Sequence, residues 1–201
     1  MKKNLFLSLY IAILVFFSSL KCNNLTSQIN ETLFVVANGD NLTIEDVVNV
    51  ARNNYKVKLS EDAKTRIQES RKTVDDLVAN KKIIYGLTTG FGLLANVSIS
   101  SEETEQLQAN LIRSHAVGVG KALPEEVVRA TMLLRVNTFA KGRSGIRLST
   151  VEKLIELLNK NIYPYVPEKG SVGASGDLAP LSHIILILIG EGEVFIDGKR
   201  F

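Results

Sequence analysis

The chain has 201 residues, 45% of them hydrophobic and 22% charged, so it is long and apolar enough to bury a sizeable core. This composition excludes a disordered or collagen-like chain. Of the 24 basic residues, Lys2, Lys3 and Lys21 lie near the N-terminus, and the others balance the 21 acidic residues. A near-neutral body lacks the electrostatic footprint of a nucleic-acid-binding protein, so no nucleic-acid partner is predicted.

Residues 1–22 have the pattern of a signal-like or anchoring leader. Two lysines precede a 16-residue run, residues 5–20, that is apolar except for serines and is short for a membrane span. The single cysteine, Cys22, has no intramolecular disulfide partner, so it is either a lipid attachment site or an incidental free thiol. The leader predicts an exported or membrane-anchored protein. Without a true signal the protein would be cytoplasmic.

Residues 23–41 are interpreted as a linker and N-terminal extension, and the body over residues 42–201 is predicted to be mainly α-helical. Thr43 and Asp46 form a capping box for one helix, and Ser60 begins a longer one. Further helices are predicted over residues 101–112, 124–140 and 151–158.

Three features near the C-terminal end complete the predicted elements. Ser149 and Glu152 are expected to cap the helix over residues 151–158. A helix over residues 178–189 is apolar on all sides, which predicts a buried core helix. Asp197 and Gly198 are typical of the two-residue turn of a β-hairpin.

Residues 170–180, with the sequence GSVGASGDLAP, contain the most informative motif. In a tight glycine-flanked turn, the amide nitrogen of Gly176 can be pressed onto the carbonyl carbon of Ala174. Loss of two waters, one of them from the Ser175 side chain, would then leave a methylidene-imidazolone (MIO), an electron-poor alkene. Alternatively, the segment is an ordinary turn with Asp177 capping the next helix. A serine hydrolase is disfavoured, because Asp177 stands where a nucleophile elbow needs its second glycine.

Two other segments carry candidate functional side chains. Tyr85 enters a glycine-rich loop, residues 85–92, of the kind that places a functional side chain on mobile backbone. The pattern G-x-G-x-x-A over residues 90–95 is typical of nucleotide binding, but no βαβ alternation follows, so no nucleotide cofactor is predicted. Ser114 and His115 follow an apolar helical stripe, where a lone histidine is more often structural than functional.

Taken together, YGLTTGFG at residues 85–92, NLIRSHAVGVG at 110–120 and GSVGASGDLAPLSH at 170–183 resemble the aromatic amino acid ammonia-lyase family, and within it the histidine ammonia-lyases. The resemblance runs from residue 42 to the end of the chain in one register. It implies the N-terminal portion of the ammonia-lyase fold, mainly α, with short strands and glycine-rich loops around the MIO turn. The central helical bundle would be missing, so a truncated chain is expected.

The resemblance also implies roles for individual residues. The MIO cofactor would form from Ala174, Ser175 and Gly176. Tyr85 would be the catalytic base, and its phenol must first be activated by neighbours. The substrate-binding and turn-supporting residues implied in this way are His115, Ser114, Gly92, Gly173 and Asp177.

The implied reaction is non-oxidative deamination of L-histidine to urocanate and ammonia. The resemblance also implies a homotetramer in which residues from several subunits form each active site, so an isolated fragment should be inactive. Ser114 and His115 favour histidine, whereas Thr88 gives a form more familiar from phenylalanine lyases. A tyrosine or phenylalanine ammonia-lyase, an aminomutase and a non-catalytic exported helical module remain alternatives. Two histidines and one cysteine without ligand spacing predict no metal site.

Overall fold

The described part of the chain, residues 33–201 apart from Asn96, Ser98 and Ser175, is mostly helical with short strands in this computed structural model. The predicted mainly α fold is therefore confirmed. The leader, Cys22 and Ser175 lie outside the described residues. Leu33–Phe201 form one unit by their contacts.

Six α-helices make up about half of the described chain. Their bounds are α1 Ile44–Arg52, α2 Glu61–Ala79, α3 Ser101–His115, α4 Glu125–Ala140, α5 Leu148–Asn159 and α6 Leu178–Leu186. Short 3₁₀ turns cover Gly92–Leu94 and Ile187–Ile189.

Three of the six helices begin after a residue whose side chain caps them. Thr43 and Asp46 form the predicted capping box, and the Ser60 hydroxyl accepts a bond from the Ala63 amide. The predicted Ser149 cap is wrong, because α5 begins after Arg147 without a side-chain cap and Ser149 lies inside its first turn. Leu148 packs against the core there, so burial extends the helix beyond the expected start.

Short strands join segments that are distant in the chain. Strands β1 (Phe34–Ala37) and β2 (Lys56–Leu59) pair in parallel, and β3 (Val119–Ala122) pairs antiparallel with β5 (Pro167–Lys169). Strand β1 falls within residues 23–41, and its Val35 and Ala37 enter the core. Strands β4 (Tyr163–Pro164), β6 (Val194–Ile196) and β7 (Lys199–Arg200) form an antiparallel sheet.

The predicted hairpin turn is confirmed. Asp197 and Gly198 connect β6 and β7 with φ angles of 49° and 74°. Two positive φ angles are what the two-residue hairpin turn of this type requires.

Helix α4 lies at the centre of the core and packs against α1, α2 and α5. Its buried side chains include Met132, Leu133 and Val136. It also carries Arg129, which is 1% exposed and bonded to the backbone at the ends of two neighbouring helices.

Helix α6 differs from the expectation. The prediction of a buried core helix is wrong for most of its residues, because only Ala179 and Ile184 are buried and Leu178 is 47% exposed. Helix α6 contacts α3, and Ile184 joins the core, so only part of its apolar surface is covered within the described residues.

Candidate active site

Two tertiary connections bring the end of α3 against the turn that precedes α6. Helix α3 packs on α6, and the strand that follows α3 pairs with the strand that precedes the turn, with Val119 opposite Lys169. The sequence thus places Ser114 and His115, at the end of α3, beside the segment from Gly170 to Asp177.

A close backbone crossing fixes this arrangement. Gly170 has a φ of +125°, and a Cβ added to it would lie 2.9 Å from the Gly118 Cα. Next to the crossing, the Gly118 amide donates a hydrogen bond of 3.0 Å to His183 Nε2. Burial lowers the pKa of His183, which favours the neutral ring that this bond needs.

The two segments line a partly open cavity of about 300 Å³. Its lining includes Ser114 and His115 from α3 and Ala174 and Gly176 from the turn. The remaining lining residues are Val117, Gly170, Val172, Leu178 and Ala179. The structure therefore brings together four of the residues singled out in the sequence.

Hydrogen bonds hold the His115 ring against its own helix. Nδ1 lies 2.8 Å from the carbonyl oxygen of Leu111 and 3.1 Å from the Ser114 hydroxyl oxygen. The Ser114 hydroxyl in turn donates to the same carbonyl over 2.9 Å. A nearby ion pair between Arg113 and Glu191 connects α3 to the segment after α6. The hydrogen bond from Arg113 lowers the pKa of Glu191.

The turn contains two glycines in the left-handed region of backbone conformation. Gly173 and Gly176 have φ angles of +73° and +92°, which a side chain would disfavour. No described atom beyond its chain neighbours lies within 4 Å of a Cβ placed on Gly176, so no packed group obstructs its backbone. The Asp177 carboxylate accepts a hydrogen bond from the Ser171 hydroxyl and so spans the turn. These residues fit an MIO group, although Ser175 itself lies outside the described residues.

Tyr85 and Gly92 do not line this cavity. The Tyr85 side chain is 62% exposed and packs edge-on against Phe91, with ring centroids 5.7 Å apart. Gly92 is exposed and begins a 3₁₀ turn with a φ of +58°. The structure places both residues on a loop outside the group around Ala174 and His115.

Two buried threonines build the Tyr85 loop, a role that their sequence positions did not reveal. The Thr88 hydroxyl accepts a bond of 2.9 Å from the Ile84 amide and donates to the Lys82 carbonyl. Thr89 is fully buried, and its hydroxyl bonds to the Gly90 carbonyl over 3.0 Å. Thr88 therefore shapes the loop around Tyr85 and does not line the cavity beside His115. A buried polar residue leaves no periodic signal by which sequence could have revealed this function.

Two further findings concern other kinds of site on the described residues. The described residues contain no cluster of three or more histidine, cysteine, aspartate or glutamate side chains that could hold a metal ion. In the same part of the chain, no helix is both long enough and apolar enough to cross a membrane.

The sequence of this folded part identifies its class. A family profile described as aromatic amino acid lyase matches residues 42–201. The match spans most of the chain, so the chain belongs to the aromatic amino acid lyase family, as the resemblance predicted.

Individual relatives narrow the comparison. The histidine ammonia-lyase of Caldanaerobacter subterraneus subsp. tengcongensis is 62% identical over 166 residues, which cover 83% of this chain and 33% of that protein. Among solved structures, an ergothioneine-degrading enzyme of Treponema denticola superposes with a TM-score of 0.80 at 36% identity, covering 84% of this chain and 34% of that one. A tyrosine aminomutase from Streptomyces globisporus superposes with a TM-score of 0.79 at 39% identity, covering 84% of this chain and 32% of that one. The chain spans about a third of the length of these relatives.

Proposed function

We propose that this chain carries the electrophile-forming part of a histidine ammonia-lyase, which converts L-histidine to urocanate and ammonia. The observation that carries the proposal is the shared cavity, which is lined by Ala174 and Gly176 together with Ser114 and His115. The 62% identity to a histidine ammonia-lyase supports histidine as the substrate.

The cofactor would be built from the chain itself. The Gly176 amide nitrogen bonds to the Ala174 carbonyl carbon, and two waters leave, one from ring closure and one from the Ser175 side chain. The resulting MIO group would supply an electron-poor alkene as the electrophile for the substrate's amine, or in an alternative version for its ring. Gly173 and Asp177 hold the turn in the shape that ring closure needs.

The other residues bind the substrate and move one proton. Ser114 and His115 orient the side-chain ring, and Gly92 contributes backbone on the Tyr85 loop. Tyr85 acts as the base that takes the β-proton, the C–H electron pair becomes the new double bond, and the protonated amine leaves with the C–N electron pair as ammonia. Because Tyr85 does not line the cavity around Ala174, we place the complete site in a homotetramer and expect the 201-residue chain alone to be inactive.

Mass spectrometry of the tryptic peptide spanning residues 170–199 tests cofactor formation. A peptide from the natively produced protein that is lighter by two waters supports the proposal, and Ser175→Ala should restore the unmodified mass. An unmodified wild-type peptide would contradict an active MIO site in this chain.

A second enzyme function is favoured by one specific observation, the likeness to a tyrosine aminomutase. Tyrosine or phenylalanine ammonia-lyases would use the same turn, and an aminomutase would return the amine to the β-carbon. Product analysis after incubation with L-histidine, L-tyrosine and L-phenylalanine separates these activities in an assembly that turns over. Urocanate supports the histidine lyase, an unsaturated phenyl acid supports the other lyases, and a β-amino acid supports the mutase.

The leader supports a proposal of its own. We place the protein outside the cytoplasm or on a membrane through residues 1–22, with Cys22 as the lipid attachment site. Cell fractionation with and without Cys22→Ser tests this location. A soluble cytoplasmic wild-type protein retaining the leader would contradict it, whereas an exported chain without the cyclised turn would favour a non-catalytic helical module.

A further inference from the structure

Gly118 occupies a tight position between α6 and β5. A Cβ placed on it would lie 3.1 Å from three atoms, which are His183 Nε2, the Lys169 carbonyl oxygen and the Pro167 Cβ. The helix and the strand can approach the chain so closely there because glycine has no Cβ. The hydrogen bond from the Gly118 amide to His183 Nε2 joins the chain to the helix at this point.

Both ends of the turn segment, residues 170–177, are held at this one residue. At the first end, Gly170 crosses the backbone of Gly118. At the second end, Asp177 precedes α6, and His183 lies further along the same helix. The residues of an α-helix keep fixed relative positions, so the bond between Gly118 and His183 also fixes where α6 begins. The turn segment is therefore a loop that is closed at Gly118.

The bond that closes the loop requires a neutral imidazole. A backbone amide only donates, so His183 Nε2 must be unprotonated, and a proton there would set two donors against each other. Burial lowers the pKa of His183 below its ordinary value of 6.5. The ring is therefore neutral above pH 6.5 and can accept the bond.

Charged groups on the adjoining elements do not set this protonation state. The ionisable side chains there are Arg113 and His115 on α3, Lys121 on β3, Tyr163 on β4, Glu168 and Lys169 on β5, and Asp177 at the start of α6. Burial is the one cause of the lowered pKa of His183, and none of these groups contributes to it.

We propose that His183 is a positioning residue for the turn, which as a neutral acceptor closes the loop at Gly118 and holds the turn in the cavity beside the end of α3. Protonation of the ring breaks the bond and releases the loop. A loop held at both ends samples fewer conformations, so the Gly176 amide nitrogen meets the Ala174 carbonyl carbon more often. The consequence for ring closure rests on the proposed function, whereas the closed loop does not.

Hydrogen exchange of the Gly118 amide in the full chain tests the bond. His183→Gln keeps an acceptor but cannot be protonated in this range, whereas His183→Leu has no acceptor. At pH 8 we expect equal exchange rates in the wild type and His183→Gln, and a rate about tenfold higher in His183→Leu. As the pH falls below 6.5, the wild-type rate should rise toward that of the leucine variant measured at the same pH. The amide resonances of Gly170 and Gly173 should shift with the same midpoint.

His115→Gln is the matched control, because His115 is the other histidine of the chain and lines the same cavity. The pH-dependent step should persist in this variant and disappear in His183→Gln. A step that persists in His183→Gln, or its absence from the wild type, would overturn the inference. This comparison decides the matter even where the leucine variant does not fold.

The rate at which the turn loses two waters measures the consequence for ring closure. In the full chain, made by cell-free synthesis and sampled over time at pH 8, we expect equal rates in the wild type and His183→Gln. His183→Leu should be slower by about threefold or more. Ile67→Val removes one buried methyl group from α2, which does not line the cavity, and should cyclise at the wild-type rate.

Two outcomes of the cyclisation experiment have different meanings. Equal rates in His183→Gln and His183→Leu would overturn the positioning role of His183. No loss of water in any of the proteins would contradict the proposed activity, and the exchange of the Gly118 amide would still decide whether His183 closes the loop.

Discussion

Arg129 shows how one buried side chain joins three helices. From α4, its guanidinium donates to the Val50 carbonyl near the end of α1 over 2.8 Å and to the Leu158 carbonyl near the end of α5 over 3.3 Å. These carbonyls stand in the last turns of their helices, where a positive charge is favourable. The Leu158 carbonyl also accepts a hydrogen bond of 3.2 Å from the Asn161 amide. Desolvation lowers the pKa of Arg129, but neutral acceptors compensate the buried charge.

Replacing Arg129 should therefore be costly. Arg129→Met keeps the apolar stem but removes the donor of the buried Val50 carbonyl and one of the donors of the Leu158 carbonyl. We expect the free energy of unfolding to fall by about 3 kcal/mol, measured by urea denaturation. Arg143→Met is the matched control, because Arg143 is exposed and its loss should change stability by less than about 0.5 kcal/mol. Similar effects for the two variants would contradict the role of Arg129.

Thr88 allows a test of how the Tyr85 loop is held. Thr88→Val keeps the shape of the side chain but removes the hydroxyl that bonds the Ile84 amide and the Lys82 carbonyl. We expect a loss of about 2 kcal/mol in unfolding free energy and faster amide exchange over residues 84–88. Thr88→Ser retains the hydroxyl and should lose less. If valine and serine behave alike, the hydroxyl does not hold the loop.

At the scale of elements, the crossing of Gly118 and Gly170 connects the end of α3 to the turn. Gly170→Ala would combine a strained positive φ with a contact of 2.9 Å to the Gly118 Cα, and backbone cannot move aside cheaply. We expect a loss of about 3 kcal/mol in unfolding free energy, measured by urea denaturation.

Gly190→Ala provides the control for backbone strain alone. Gly190 also has a positive φ, of +81°, but no described atom outside its chain neighbours lies within 4 Å of the position that a Cβ would take there. The cost there should be about 1 kcal/mol. Equal losses for the two variants would mean that the crossing tolerates a side chain and does not fix the two segments.

The sequence predicted most helices and the β6–β7 hairpin but not the strands that pair over long distances, for a physical reason. Local capping chemistry, such as that of Thr43 and Asp46, marks a helix start within four residues of the chain. Strand β1 is four residues long and is defined by pairing with β2, which no local pattern encodes. The burial of α6 was overestimated for the same reason. The sequence shows that the helix is apolar but not how many other segments pack against it.

The residues of the candidate site show the same difference between local and long-range features. The Ala174 turn was recognisable because its chemistry lies in consecutive residues. Its proximity to His115 depends on the pairing of β3 with β5 and on α3 packing against α6, and only the resemblance indicated it before the fold was known. The Gly118–His183 bond joins residues 65 positions apart, beyond any spacing rule.

At the scale of the whole molecule, ionic contacts predict how stability responds to acid. Hydrogen bonds from Lys160 and Lys153 lower the pKa of Glu156 to about 2, from an ordinary value of 4.5. Partner arginines also lower the pKa of Asp75, Glu191 and Glu193. A carboxylate with a lowered folded-state pKa binds fewer protons than in the unfolded chain, so its stabilisation is complete above the ordinary value and is lost as pH falls toward the folded value.

As the pH falls from about 5 to about 2, the free energy of unfolding should therefore decline. His183 should add a second decline, which begins near its ordinary pKa of 6.5 as the pH falls, because burial lowers the pKa of His183 in the folded state. Urea denaturation across this range measures the slope. All four carboxylates are exposed enough for salt to screen them, so the part of the slope below pH 5 should flatten in about 1 M salt, whereas the His183 part, which arises from burial, should persist. In Glu156→Gln the low-pH slope should diminish while the His183 step stays unchanged. A slope that neither salt nor this substitution alters would mean that the surface ion pairs do not govern the acid response, and would assign it to buried groups instead.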